Sequence, residues 1–436
     1  MKNSPLLDSL KAAGGRILSG GPVYLSGAIL FALLFIAGSV TGIHSVYFEG
    51  SRHAYGTSRE IPLAMLIATY SFFVVASTGL CLVSSIGHIF GVRAFQPIGK
   101  RAVLLSVITI LSGFLVIGLE LENPFRLAIY LFASPNFSSN IWWMGTLYAC
   151  EVVLLIIEFI YLMLDRHRVS AVVGFFGILF GVAAISNLGG VFATLNGREF
   201  WYGPYLPIFF IASAVMMGCA AIIFFTVIAH RIRGAALDGP VARSLAAVGK
   251  LLLLMLAVVL FFTIWRMVSL TAGGTEKLMV LDALVSGPYA FNFWVMEIGL
   301  GIVLPFLLLL GSRGTRVGVM FLAVSLMILG AFFARLQMVV AGQIVPLYWD
   351  LGVLEFSRLH VYAPTWREVM VVLAGVGFCG AAFLLGEKIF TNFDGAGAGV
   401  AVNIGKVGGG EKVFASLDET EAGAAVNGGK VDGDEP

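Results

Sequence analysis

The stretch FLVIGLELENPFRLAIYLFASPNFSSNIWWMGTLYACEVVLLIIEF, residues 114–159, is the end of one apolar run, a polar turn, and most of a second apolar run. Runs of about 20 apolar residues are what a bilayer-crossing helix requires. Yet this one stretch holds Glu120, Glu122, Arg126, Glu151 and Glu158. An ionisable group in hydrocarbon costs on the order of 2.5–3.5 kcal/mol by insertion scales, so these residues are candidates either for function or for ion pairs that fix helix packing.

Working outward, 59% of the 436 residues are hydrophobic and only 12% are charged. With a mean hydropathy of +0.95, such a chain cannot expose its apolar surface to water and is an integral membrane protein. The fold class is all-α, a polytopic bundle. Ten spans are expected, over 22–44, 61–90, 101–121, 141–164, 170–193, 205–230, 246–270, 290–311, 317–341 and 367–389. A net charge of +2 with scattered basic residues points to no nucleic-acid partner. Cys81, Cys150, Cys219 and Cys379 are isolated inside apolar runs, without metal-ligand spacing, and read as core residues.

Lys and Arg sort the connections into two sets. One face collects fifteen of them, from Lys2 to Lys388; the other collects Arg52, Arg59, Arg126, Arg198, Lys277, Arg358 and Arg367. The positive-inside rule makes the first face cytoplasmic and puts both termini there, in a cell membrane. Residues 1–21 form a cytoplasmic N-terminus, 22–390 the transmembrane domain, and the Gly- and Ala-rich segment 391–436 a disordered cytoplasmic tail. The first apolar run lacks a removable signal's cleavage site and is expected to stay as a helix. LGGVFATL (188–195) parallels LGAFFARL (329–336), and NIWWM (140–144) parallels NFWVM (292–296). Two four-helix bundles in parallel relation follow, over about 61–193 and 205–341, with helices one and ten outside them.

Glu151 and Glu158 are seven residues apart, about 10 Å along one face of helix four. With Glu120 and Glu122 at the outer end of helix three they outline a broken line of proton-carrying groups. Pairing with Arg266 or Arg335 is the structural alternative, and Glu297 suits Arg335 equally as a locking partner. His88 and His230 face the same end of the membrane on corresponding helices, but paired histidines at both depths, which a dihaem site needs, are lacking. They are expected to cap helices or face the surface, and His53, His167 and His360 to be solvated. Tyr55, Trp201 and other aromatics near the sparsely basic face read as an interfacial belt. The loop 342–366, with Trp349, Glu355, Arg358 and His360, reads as a docking surface.

The run Glu120-Leu121-Glu122-Asn123-Pro124-Phe125-Arg126 resembles the acidic Leu-Gly-x-Pro-x-Arg turn between helices three and four of the NrfD-type membrane subunits, the polysulfide-reductase family. Ser134-Pro135-Asn136, the Trp-rich start of helix four and Ser58-Arg59-Glu60-Ile61-Pro62 at the opening of helix two extend the likeness over about residues 20–390. Within the family it looks similar to the ten-helix, DsrP-type subunits of respiratory complexes linked to sulfur metabolism. Glu122 departs from the pattern, which has glycine there.

The resemblance implies a subunit that binds no haem or iron–sulfur cluster itself. It would hold menaquinone or another quinone near the extracytoplasmic face and exchange electrons with a ferredoxin-like iron–sulfur subunit docked outside. Further membrane and cytochrome subunits would complete the complex in the lipid bilayer. Quinone contacts are expected at Tyr70, Glu120, Arg126, Trp142 and Asn187, and proton transfer at Glu120, Glu122, Glu151 and Glu158. For Tyr70 and Asn187 an interhelical hydrogen bond is an equal reading. A secondary transporter and a purely structural anchor are the alternatives.

Overall fold

The computed structural model describes residue 15, residues 21–237, 239–346 and 359–390, and residue 393. Among the described residues all regular structure is helical, and ten helices are long and apolar enough to cross a membrane. They are α1 (Pro22–His44), α2 (Met65–His88), α3 (Gln96–Gly118), α4 (Asn140–Met163), α5 (His167–Ala193), α6 (Tyr205–Arg233), α7 (Gly239–Thr271), α8 (Asn292–Ser312), α9 (Val317–Ala341) and α10 (Trp366–Ile389). The expected ten spans are therefore present. The proposed docking residues Trp349, Glu355 and Arg358 lie outside the described residues.

The early start of the third span has a physical cause. Charge alone starts the third span only after Lys100, at Arg101. Both residues are inside α3, because each is paired: Lys100 Nζ reaches Asp165 at 2.9 Å, and the fully buried Arg101 holds Glu387 of α10 at 2.7 Å. Arg233 of α6 also pairs with Glu387. One carboxylate thus joins α3, α6 and α10 at the basic end.

Within the first half α2 packs on α3 and α5, and α4 on α3 and α5; within the second, α6 packs on α7 and α9, and α8 on α9. The halves meet where α6 lies against α2 and α5, while α1 pairs with α10, which rests on α3. Small residues let the seam close. A Cβ built on Gly79 of α2 would stand 1.8 Å from the Ala214 carbonyl oxygen of α6, and one on Gly218 of α6 would stand 2.1 Å from the carbonyl carbon of Gly79. No residue larger than glycine fits that crossing, the usual device for bringing helices together in lipid. Without a hydrophobic force between helices, polar contacts and close packing define the arrangement.

Two short helices lie outside the ten spans. Pro124–Ala133 follows the Glu120 turn, and its Phe125, Ile129 and Phe132 are exposed. Thr275–Val285 links α7 to α8. The opening of α8 is wound as a π-helix over Asn292–Val303, a rare geometry that is concentrated at functional positions.

Candidate functional site

Acidic groups gather beneath the sparsely basic face. Helix α3 ends at Gly118, and Glu120 follows in the turn, its Oε2 shut off from solvent and without a hydrogen-bond partner. Burial, and then the nearby carboxylate of Glu368, push its carboxyl up to about 8. Glu368 is fully buried in the first turn of α10. Its Oε2 accepts from the backbone N–H of Gly56 at 2.9 Å and of Thr365 at 2.8 Å, while Oε1 accepts from the Tyr362 hydroxyl at 2.8 Å. Thr365 and Glu368 form a capping box. Tyr55 closes the other side by donating to the Leu119 carbonyl at 2.7 Å, and burial raises the phenols of both Tyr55 and Tyr362 above their ordinary range. The result is one fully bonded carboxylate next to one carboxyl that has spare bonding capacity and titrates near neutrality.

A second set lies deeper. Glu151 and Glu158 are both fully buried on α4, as the seven-residue spacing predicts for one face. Glu151 Oε1 accepts from the Thr78 hydroxyl at 3.0 Å. Glu158 Oε1 stands 2.5 Å from His88 Nε2, and His88 Nδ1 stands 2.8 Å from the Ser84 carbonyl. Since a carbonyl only accepts, Nδ1 carries a hydrogen, and the Nε2–Oε1 gap is where the pair shares or passes its other proton. Gly174 and Gly181, also seven apart, supply the room on α5. Cβ atoms there would come within 2.7 Å of Glu158 Oε1 and 2.8 Å of Glu151 Oε1. Each acid keeps one oxygen, Oε2, unbonded. Tyr148 is fully buried one turn before Glu151, with its ring edge-on to Tyr70 at 6.2 Å.

The second half buries two arginines, Arg266 and Arg335. Arg266 Nη2 meets Glu297 Oε1 at 2.5 Å, and Arg335 donates to the Ser213 hydroxyl with its guanidinium 4.2 Å above the Phe210 ring. Glu297 therefore locks to Arg266, not to Arg335 as the sequence alone allows.

The structure sorts the expected site residues. Glu120 and Tyr70 are shielded beneath the sparsely basic face; Glu151 and Glu158 form the deeper line. Glu122 is exposed, accepting from Ser51 at 3.1 Å, and Arg126 is exposed on the short helix. Trp142 donates its indole N–H to the Leu131 carbonyl at 2.9 Å, and Asn187 donates to the Asn140 carbonyl at 2.8 Å. Both are tied to backbone. His88 is not a cap or a surface group but the partner of Glu158. Tyr55 and Trp201 are core residues rather than belt, Trp201 donating to the Met338 carbonyl at 2.8 Å. Sequence reasoning missed Thr78, Tyr362 and Glu368. Thr365-x-x-Glu368 is a legible capping signal, and Thr78, Ser85 and His88 share one helical face with the acids' partners.

The apolar surface between the short helix, α4 and α5 carries a cavity of about 390 Å³. It is lined by Leu131, Phe132, Thr146, Ala149, Cys150, Val153, Leu154 and Phe180.

Comparison with known proteins gives these groups a context. The chain is 25% identical to a selenate reductase subunit of Mesobacillus selenatarsenatis, over 81% of this chain and 90% of that one. It is 22% identical to the Hdr-like menaquinol oxidoreductase integral membrane subunit of Archaeoglobus fulgidus, over 83% and 93%. It is 26% identical to a protein of Halobacterium salinarum named for the membrane subunit of a dimethyl sulfoxide reductase, over 78% and 84%. The family described as polysulphide reductase, NrfD, matches residues 54–346, a span that holds Glu120, both acids of α4 and the arginines of the second half, and the chain belongs to that family.

Proposed function

We propose that the chain is the quinone-interacting membrane subunit of a multisubunit redox complex, with Glu120 as the proton-exchanging group. The observation that carries this reading is the shielded, unbonded Oε2 of a carboxyl that titrates near 8, beside a carboxylate whose own bonds are complete. A menaquinol, when bound, supplies two electrons and two protons. In its ionised form, which grows as pH rises toward 8, Glu120 takes one of the two protons while the other leaves to solvent on the same face, and Glu368, Tyr362 and Tyr55 hold its surroundings rigid. The apolar cavity of about 390 Å³ suits a polyprenyl tail and adjoins the short helix that starts four residues beyond Glu120. The electrons pass to an iron–sulfur partner subunit on the sparsely basic face, which the basic-residue count makes extracytoplasmic.

In the same reading Glu151 and the Glu158–His88 pair move protons toward the basic face. Glu158 faces an imidazole, which can give up a proton, whereas Glu297 faces a guanidinium, which cannot. The test is quinol-dependent reduction of the partner subunits by the purified complex carrying Glu120→Gln or Glu151→Gln. Impaired turnover in an assembled complex is expected; full turnover in both variants removes the assigned roles.

A further inference from the structure

Three ionised side chains of the second half line one cavity, and their charges do not sum to zero. The cavity, about 40 Å³, is bounded by α2 and by α6 to α9, and Arg266, Glu297 and Arg335 are the charged residues on its wall. None of the three is more than 6% exposed. Arg266 Nη2 is matched by Glu297 Oε1, but Arg335 meets no carboxylate within 4.0 Å among the described residues. Its Nη2 donates to the Ser213 hydroxyl, and its guanidinium stands over the Phe210 ring. An aromatic face softens the loss of water without removing the charge, and a buried ion is ordinarily paired.

The wall also has bonds to give. Arg335 Nη1, Arg266 Nε and Glu297 Oε2 are each buried without a hydrogen-bond partner. The two hydroxyls on the wall have spent their hydrogens elsewhere, Ser213 on the Phe210 carbonyl at 3.0 Å and Thr263 on the Val259 carbonyl at 2.9 Å. An occupant must therefore accept from two arginines, and something beside it must donate to one carboxylate.

A water-sized occupant needs about 10–15 Å³ of such space, so there is room for two or three of them and none for a quinone ring. Water accepts from both arginines but leaves a charge of plus one in the membrane. A monovalent anion accepts from both and brings the sum to zero, with a single water beside it donating to Glu297 Oε2. We propose that this cavity is a binding site for a small monovalent anion of about chloride size, held between Arg266 and Arg335. Glu297 limits the choice, because a dianion would overshoot neutrality next to its carboxylate. The anion fastens α7 to α9, whereas the side chains' own polar contacts run from Arg266 to α8 and from Arg335 to α6. The site lies apart from the proton line and stands whether or not the chain handles quinone.

Bromide, which substitutes for chloride and scatters X-rays anomalously, is the probe. The full chain is purified with bromide as the only halide and crystallised from lipid, and its thermal unfolding is followed as bromide replaces gluconate, an anion too large for the cavity, at constant ionic strength. One anomalous peak per chain is expected between Arg266 and Arg335, and the unfolding midpoint should rise with bromide. In Arg335→Met the peak should vanish, and the bromide concentration that gives half the rise should increase about tenfold or more. A wild-type map without that peak overturns the proposal and leaves the cavity to water, as does a midpoint that bromide does not move. Peaks confined to the basic face mark an adventitious ion only and overturn it as well. The wild-type results decide where Arg335→Met does not assemble.

Discussion

Apart from Arg101 at the basic end, the two halves of this chain differ in the charges they bury. In the first, α4 buries Glu151 and Glu158 against a hydroxyl, an imidazole and two glycines, each acid keeping a vacant oxygen. In the second, α7 and α9 bury Arg266 and Arg335, with Glu297 as the one acid facing them among the described residues. The acids proposed to gain and lose protons have a hydroxyl and an imidazole as partners, while the arginines have an ion pair, a hydroxyl and aromatic faces.

The contrast is most easily broken at Arg266–Glu297. Glu297→Gln should strand a buried guanidinium and cost about 3–5 kcal/mol, whereas the double replacement Arg266→Met with Glu297→Leu should cost far less. Unfolding in mixed micelles measures both. In the first half the equivalent insult is steric. Gly181→Ala puts a methyl 2.8 Å from Glu151 Oε1, so the carboxylate must shift; up to about 1 kcal/mol of stability should be lost, together with part of the proton uptake during quinol turnover in proteoliposomes.

Glu120 sharpens the comparison through pH. Its folded-state value of about 8 lies above that of the unfolded chain, so between the ordinary carboxylate range and pH 8 the native protein retains a proton that the unfolded chain has released. Stability should fall as pH rises across that window, quinol oxidation should rise with an inflection near 8, and Glu120→Gln should abolish both dependences. The smallest effect belongs to Asn187→Ala, which removes one interhelical bond to the Asn140 carbonyl and should cost about 0.6 kcal/mol without altering turnover.

Apolar run length alone makes the ten helices legible, because a bilayer fixes how long a crossing segment must be. The seven-residue spacing of Glu151 and Glu158 likewise fixes their common face. Which charge meets which is not legible in the same way. Arg101 reads as the edge of its helix rather than its interior because its partner, Glu387, is 286 residues away, and His88 reads as a surface group because Glu158 is 70 residues away. Sequence spacing reports neighbours on one helix, while a buried ionic group is tolerated only through neighbours on another. The Glu122 turn shows the converse: a departure from the family pattern that stands out in sequence places its side chain in solvent, bonded to Ser51.

The grip of Glu387 on an arginine from each half also sets an order of assembly. Both Arg101 and Arg233 are translated and inserted long before α10 emerges, so the fastening between them is the last to close. A chain stopped before residue 387 would carry Glu120, Glu151, Glu158, Arg266 and Arg335, and still lack the tie between Arg101 and Arg233.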